Sequence, residues 1–128
     1  MAQLITTAQT LTTSWVNLGS EQDMSQHTRC AVWLNVDIND SNNVRVRAIP
    51  KLAKNATLEY NLPIRTVGAS DVKVEREYYE FNVDADQQVL LEVQTKGLVP
   101  YVQFQAQVGT AGATPAQIDN ADITFSSY

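Results

Sequence analysis

From Cys30 to Ile49 the chain alternates apolar and polar residues, and that alternation limits what it can become. Val32, Leu34, Val36 and Ile38 fall on one parity, and Asn35, Asp37 and Asn39 on the other. Further on, Val44, Val46 and Ala48 oppose Arg45 and Arg47. Side chains along a strand point to opposite faces in turn, so each segment is a strand with one buried and one exposed face. Asp40, Ser41 and Asn42, flanked by Asn39 and Asn43, have the chemistry of a turn. A β-hairpin is the expected structure, with Ile38 opposite Val44, Val36 opposite Val46 and Leu34 opposite Ala48. That register also sets Asp37 opposite Arg45 and Asn35 opposite Arg47, at about 0.2–1 kcal/mol per favourable pair. A slip of one residue would bury the arginines. Trp33 breaks the pattern by falling on the polar face, opposite Ile49. Either a loop or the arginine stems cover it, or it makes a binding or subunit contact, since aromatics and Arg are enriched in interface cores.

The remaining chain reads as further strands. Residues 1–13, rich in threonine, form a first strand or an extended arm lying on a neighbour, and residues 14–128 a single β-sandwich domain. Val16 and Leu18 share a strand face, and residues 19–28 make a polar loop. Pro50 ends a strand or marks an edge, because proline cannot donate to a ladder. Leu58, Tyr60 and Leu62 alternate. Between Asp71 and Val83 the apolar parity changes, which calls for a bulge or strand break near residues 76–78, as where a strand crosses between sheets. A second hairpin is expected, with Phe81 facing Leu91, Val83 facing Val89, Tyr79 facing Val93 and Glu80 facing Glu92. Val102, Phe104, Ala106 and Val108 lie inside a later strand, whose outer row is Tyr101, Gln103, Gln105 and Gln107. Ile123 and Phe125 mark a last strand. The expected fold is all-β: an antiparallel β-sandwich, jelly-roll-like, of about eight strands.

No motif for catalysis or metal binding stands out. His27 lies three residues from Cys30 and near Asp23, but a nucleophile needs a fixed base and an oxyanion site, and Cys30 reads better as a small buried hydrophobe. Asp37, Asn39 and Asp40 resemble the opening of a calcium loop without its glycine and closing glutamate. Asp84 and Asp86 near Glu80 and Glu92 read as a solvated turn before a cation site. No cofactor is expected, and the chain is not read as an enzyme. The candidates for interaction are Trp33, Arg45, Arg47, Tyr101, Gln103, Gln105 and Gln107. A neutral amide stripe suits a shared interface or a sugar surface, and its plain alternative is a solvated face.

The 128 residues suffice for one domain with a sizeable core. A net charge of −5 argues against nucleic acid and anionic membranes as partners. The single cysteine, the absence of a leader and the absence of a long apolar run point to a reducing cytoplasm, at least until assembly.

The runs WVNLGSEQD, AVWLNVDINDSNNVRVRAIPK, YYEFNVDADQQVLLEVQT and PYVQFQAQVGT resemble small β-rich virion proteins encoded among the structural genes of tailed bacteriophages. The resemblance spans most of the chain and carries over no functional residue. It implies a non-enzymatic virion protein, foremost a capsid decoration (cement) protein that binds the outer head surface and stabilises it. The implied partners are the major capsid protein or other virion proteins and further copies of the chain, as a homotrimer. The implied location is the virion, assembled in the host cytoplasm, with residues 1–13 as an arm reaching across capsomers. The alternatives are a carbohydrate- or receptor-binding module, which would gather Trp15, Trp33 and Tyr101 on one exposed face, and a neck or tail accessory protein.

Overall fold

The computed structural model describes residues 2–37, 39, 42–52, 62, 64–66, 74–75, 79–81, 87–95, 98–110 and 112–127. Within them the chain is all-β and free of helices. The strands are β1 (Ala2–Ile5), β2 (Gln9–Thr10), β3 (Val16–Asp23), β4 (Arg29–Asp37), β5 (Asn42–Lys51), β6 (Ile64–Thr66), β7 (Val74–Glu75), β8 (Tyr79–Phe81), β9 (Gln87–Gln94), β10 (Tyr101–Thr110) and β11 (Gln117–Ser126). They form a seven-stranded sheet in the order β1-β11-β4-β9-β6-β7, with β2 also on β11, and a four-stranded sheet in the order β3-β10-β5-β8. All the pairs are antiparallel. One apolar core joins the inner faces: Val32, Leu34, Leu91, Ile118 and Ile123 from one sheet meet Leu18, Val44, Val46, Phe104 and Val108 from the other. The sandwich expected from the alternation is what forms.

Neither expected hairpin does. β4 pairs with β11 and β9, whereas β5 pairs with β10 and β8 in the other sheet. Asp37 therefore lies opposite Gln117 rather than Arg45, and Trp33 opposite Asp122 and Leu90 rather than Ile49. Likewise β8 pairs with β5, so Tyr79 is opposite Val46 and Phe81 opposite Val44, while Leu91 and Val93 sit in the other sheet. Alternation states which residues face inward. It does not state whether two inward rows lie side by side in one sheet, about 5 Å apart, or face each other across a core about 10 Å thick. Here both connections cross the sandwich. The turns proposed at residues 40–41 and 82–86 lie outside the described residues, as do Leu58 and Tyr60.

The parity change between Asp71 and Val83 has the cause the sequence suggested. β7 belongs to the seven-stranded sheet and β8 to the four-stranded one, so the chain changes sheets between Glu75 and Tyr79. Pro50 does not end β5. The strand runs on to Lys51 with Pro50 opposite Val102, past the last residue paired with β8. Residues 2–5 and 9–10 are laid along β11, with Leu4, Ile5 and Leu11 buried.

Five of the pairs nest: β1 with β11, β3 with β10, β4 with β9, β5 with β8 and β6 with β7. The chain is thus one long antiparallel ribbon. The ribbon is folded over so that successive pairs alternate between the two sheets, and its free ends meet along β1 and β11.

Candidate functional site

The seven residues picked out as interaction candidates separate onto opposite sides of the sandwich. Six lie on the outer face of the four-stranded sheet, where β10 runs between β3 and β5. Register sets Gln105 opposite Arg47, Gln107 opposite Arg45, Gln103 opposite Ile49 and Tyr101 opposite Lys51. Gln105 Oε1 accepts from Arg47 Nε at 2.8 Å and Nη2 at 2.6 Å, and its amide nitrogen donates to Asn17 Oδ1 at 2.8 Å. Arg45 Nη1 donates to Gln107 Oε1 at 3.1 Å, and Gln107 Nε2 donates to the Thr13 carbonyl at 3.1 Å. The Trp15 ring lies over the Arg47 guanidinium, 4.2 Å from its carbon to the ring centroid. Partial burial shifts the Arg47 pKa below its ordinary value, because water no longer surrounds the cation.

These contacts make a clamp. Val108 N–H also donates to the Thr12 carbonyl at 2.8 Å, so segment 12–17 is fastened to β10 by backbone and side chains together. Gln103 is not a surface residue: it is 3% exposed, and its amide donates to the carbonyls of Gly19 and Phe104. It fills the space left by a bulge in β3, where Gly19, Ser20 and Glu21 together face Gln103 between the pairs Leu18–Phe104 and Gln22–Val102. At its far end Lys51 pairs with Glu21 at 3.2 Å. The amide stripe therefore bonds within the chain.

The opposite face is different. β4 is central in the seven-stranded sheet, between β11 and β9. Trp33 stands on its outer side and is 39% exposed. Its cross-strand neighbours are Asp122 and Leu90, and the next row on that face is Asn120, Asn35 and Gln88. Ala31, on the other side of Trp33 along β4, is a small neighbour. Asn35 Nδ2 donates to Asn120 Oδ1. Beyond Ala31, Glu92 is only 8% exposed and pairs with Arg29 at 3.4 Å. The polar parity of β11 is readable in the sequence. That it lies beside Trp33 depends on pairing between strands some 85 residues apart, which no local pattern encodes.

The remaining candidate chemistry resolves into structure. Cys30 is buried, opposite Phe125 and Val93. Desolvation, with a smaller effect from the nearby Glu92 carboxylate, pushes its thiol up to about 12, so it is protonated at neutral pH. His27 stacks on Phe125 at 4.7 Å, and its Nδ1 is 3.2 Å from Ser127 Oγ. Asp23 is held below the usual carboxylate range by hydrogen bonds from the Ser25 hydroxyl and backbone N–H, with a small contribution from His27. Asn39 takes a left-handed φ of 51°, as turn residues do, and its side chain donates to the distant Pro115 carbonyl at 3.0 Å. Asp40, Asp84 and Asp86 lie outside the described residues. Among the described residues no three His, Cys, Asp or Glu side chains are gathered to hold a metal, and no helix is long and apolar enough to cross a membrane. Comparison with family models, with characterised proteins and with solved structures finds no match to this chain.

Proposed function

We propose that the chain is a non-enzymatic structural protein of a tailed-phage virion, mounted on the outer surface of the head as a decoration protein that stabilises the shell. The single observation that carries this reading is the nested pairing of β1–β11, β3–β10, β4–β9, β5–β8 and β6–β7 across two sheets. We read that wrap as a jelly roll, an architecture that recurs in viral capsid and lectin domains. A fold alone does not assign a function. It supports this one together with the resemblance of the sequence to phage structural proteins. A net charge of −5 favours a position outside the shell, away from packaged DNA. The major capsid protein is the partner this reading names, with the chain attached as a homotrimer, since closed symmetric oligomers suit symmetric sites.

The test is immunogold labelling of purified particles from the culture that carries the gene, with the native mass of the free protein measured alongside. Label spread over heads and a trimeric mass support decoration. Label confined to the neck or tail moves the protein there. Particles without label overturn the reading. A receptor- or carbohydrate-binding module built on all three aromatics is less well supported: Trp15 and Tyr101 belong to the four-stranded side and Trp33 to the other.

A further inference from the structure

We propose that the outer face of the seven-stranded sheet around Trp33 is a binding site for a neutral glycan, with the indole as a stacking platform and Asn35, Asn120 and Asp122 bonding sugar hydroxyls. The proposal does not rest on where the protein is mounted; it concerns the free protein and one of its two sheet faces.

The argument starts from the ring. A partly exposed indole on the outer face of a central strand, with Ala31 next along the strand, offers apolar surface to the C–H face of a pyranose. Hydroxyls around such a ring each need a donor or an acceptor. Asn35 and Asn120 satisfy one another through one amide N–H and one carbonyl, and among the described residues that is their only side-chain bond. That leaves the Asn35 carbonyl oxygen as an acceptor and the Asn120 amide nitrogen as a donor, the two kinds of partner that hydroxyls need. Asp122, directly across from Trp33, has no hydrogen-bond or ion-pair partner among the described residues and adds a carboxylate acceptor. Strands about 4.8 Å apart and rows about 7 Å apart place these groups over the footprint of a disaccharide.

Charge decides against other ligands. Arg29 is engaged by Glu92 at 3.4 Å, Arg65 lies across from the same Glu92 on β6, and Asp122, next to the ring, repels anions. Phosphates, sulfated sugars and nucleic acids are therefore poor fits. A second copy of the chain fits less well than a sugar. Among the described residues only Trp33 and Leu90 are large apolar groups in these rows, and a stable interface buries about 800 Å² per partner around a dry centre. A quaternary ammonium group also favours an indole beside a carboxylate, but its sites enclose the cation among several aromatics, and among the described residues Trp33 is the one aromatic of these rows.

The experiment uses the Trp15→Phe protein, in which Trp33 is the sole tryptophan. It is titrated with a panel of neutral tetrasaccharides built from glucose, mannose, galactose and N-acetylglucosamine, following indole emission and saturation-transfer NMR. The expected result is a saturable shift with at least one sugar, and a loss of affinity of about tenfold or more in Trp33→Ala. Asn120→Ala should weaken the same sugar several-fold, with the circular dichroism of both variants unchanged. Four results would overturn the proposal: no saturable change with any sugar up to the order of 10 mM, equal binding by Trp33→Ala, displacement of the sugar by tetramethylammonium at matching concentration, or Trp33 emission that changes on dilution alone, which would mean a second copy covers the ring.

Discussion

Gly19 shows how much a single residue can decide. Its φ is +69°, and a Cβ built there would fall inside hard contact with the Leu4 carbonyl oxygen. This is the point where the edge of one sheet closes on the bulged edge of the other, since β1 carries Leu4 and β3 carries Gly19. Both the left-handed backbone and the space require glycine. Gly19→Ala should destabilise the fold by about 2–4 kcal/mol in urea titrations, a large value with a named cause. A loss under about 0.5 kcal/mol would mean the two edges separate freely. Cys30 makes a second prediction at this scale. Its folded pKa is raised from 9.0 to about 12, so the unfolded chain gives up the thiol proton first. The stability this contributes is whole below pH 9 and is lost as pH rises from there toward 12. Between those limits wild type should lose up to a few kcal/mol more than Cys30→Ala does over the same range. Parallel alkaline wings for the two proteins would contradict the burial.

At the scale of elements, the first two strands are the informative ones. The arm reading expects that removing residues 1–13 leaves a folded sandwich. The pairing with β11 and the burial of Leu4, Ile5 and Leu11 say otherwise. Each such side chain contributes roughly 1.5–3 kcal/mol, and the three together approach the 5–15 kcal/mol that holds a whole domain. Deleting residues 1–13 should abolish the cooperative thermal transition or lower its midpoint by well over 10 °C. An unchanged midpoint would restore the arm. The clamp of Arg47, Gln105, Asn17 and Trp15 follows directly on that segment, whose Thr12 and Thr13 carbonyls accept from β10 as well. It explains why the amide stripe of β10 is neutral: a glutamine both accepts from a guanidinium and donates to a neighbour, whereas a carboxylate only accepts. Strands and their inner faces were legible here because period-two alternation is local. Val102, Phe104, Ala106 and Val108 are buried as their parity requires. The partners of those strands were not legible. The rows of β4 and β5 satisfy a hairpin and a crossing of the core equally well, and the choice is made by β9, β10 and β11, far along the chain. The candidate site shared that limit. Trp33 was visible as an exception to its strand, while Asp122 and Asn120 became its neighbours only through β11.

Over the whole molecule, nesting makes stability depend on the outermost pair as well as the innermost. β1 meets β11 with Ala2 across from Ile123, so the ribbon closes only when the most distant parts of the sequence have met. Such pairings collect their contacts late, after most of the loop-closure entropy has been lost, and all-β proteins of this kind fold in milliseconds to seconds. The same order ranks the strands in the native state. β4 lies between β11 and β9, and β10 between β3 and β5, each with bonded neighbours on both sides and a buried inner row. β1 and β2 hold on to β11 alone. Opening free energies run from near zero at such edges up to the global value in central strands. Amide hydrogen exchange should therefore show β4 and β10 exchanging only by global unfolding, with a denaturant dependence matching the equilibrium transition. The amides of β1 and β2 should exchange orders of magnitude faster and with little denaturant dependence, because the edge pair can open while the pairs nested inside it hold. If instead β1 exchanges as slowly as β4, the ribbon unfolds as a unit. Closing the sandwich at Gly19 and Leu4 would then be as costly to undo as its centre.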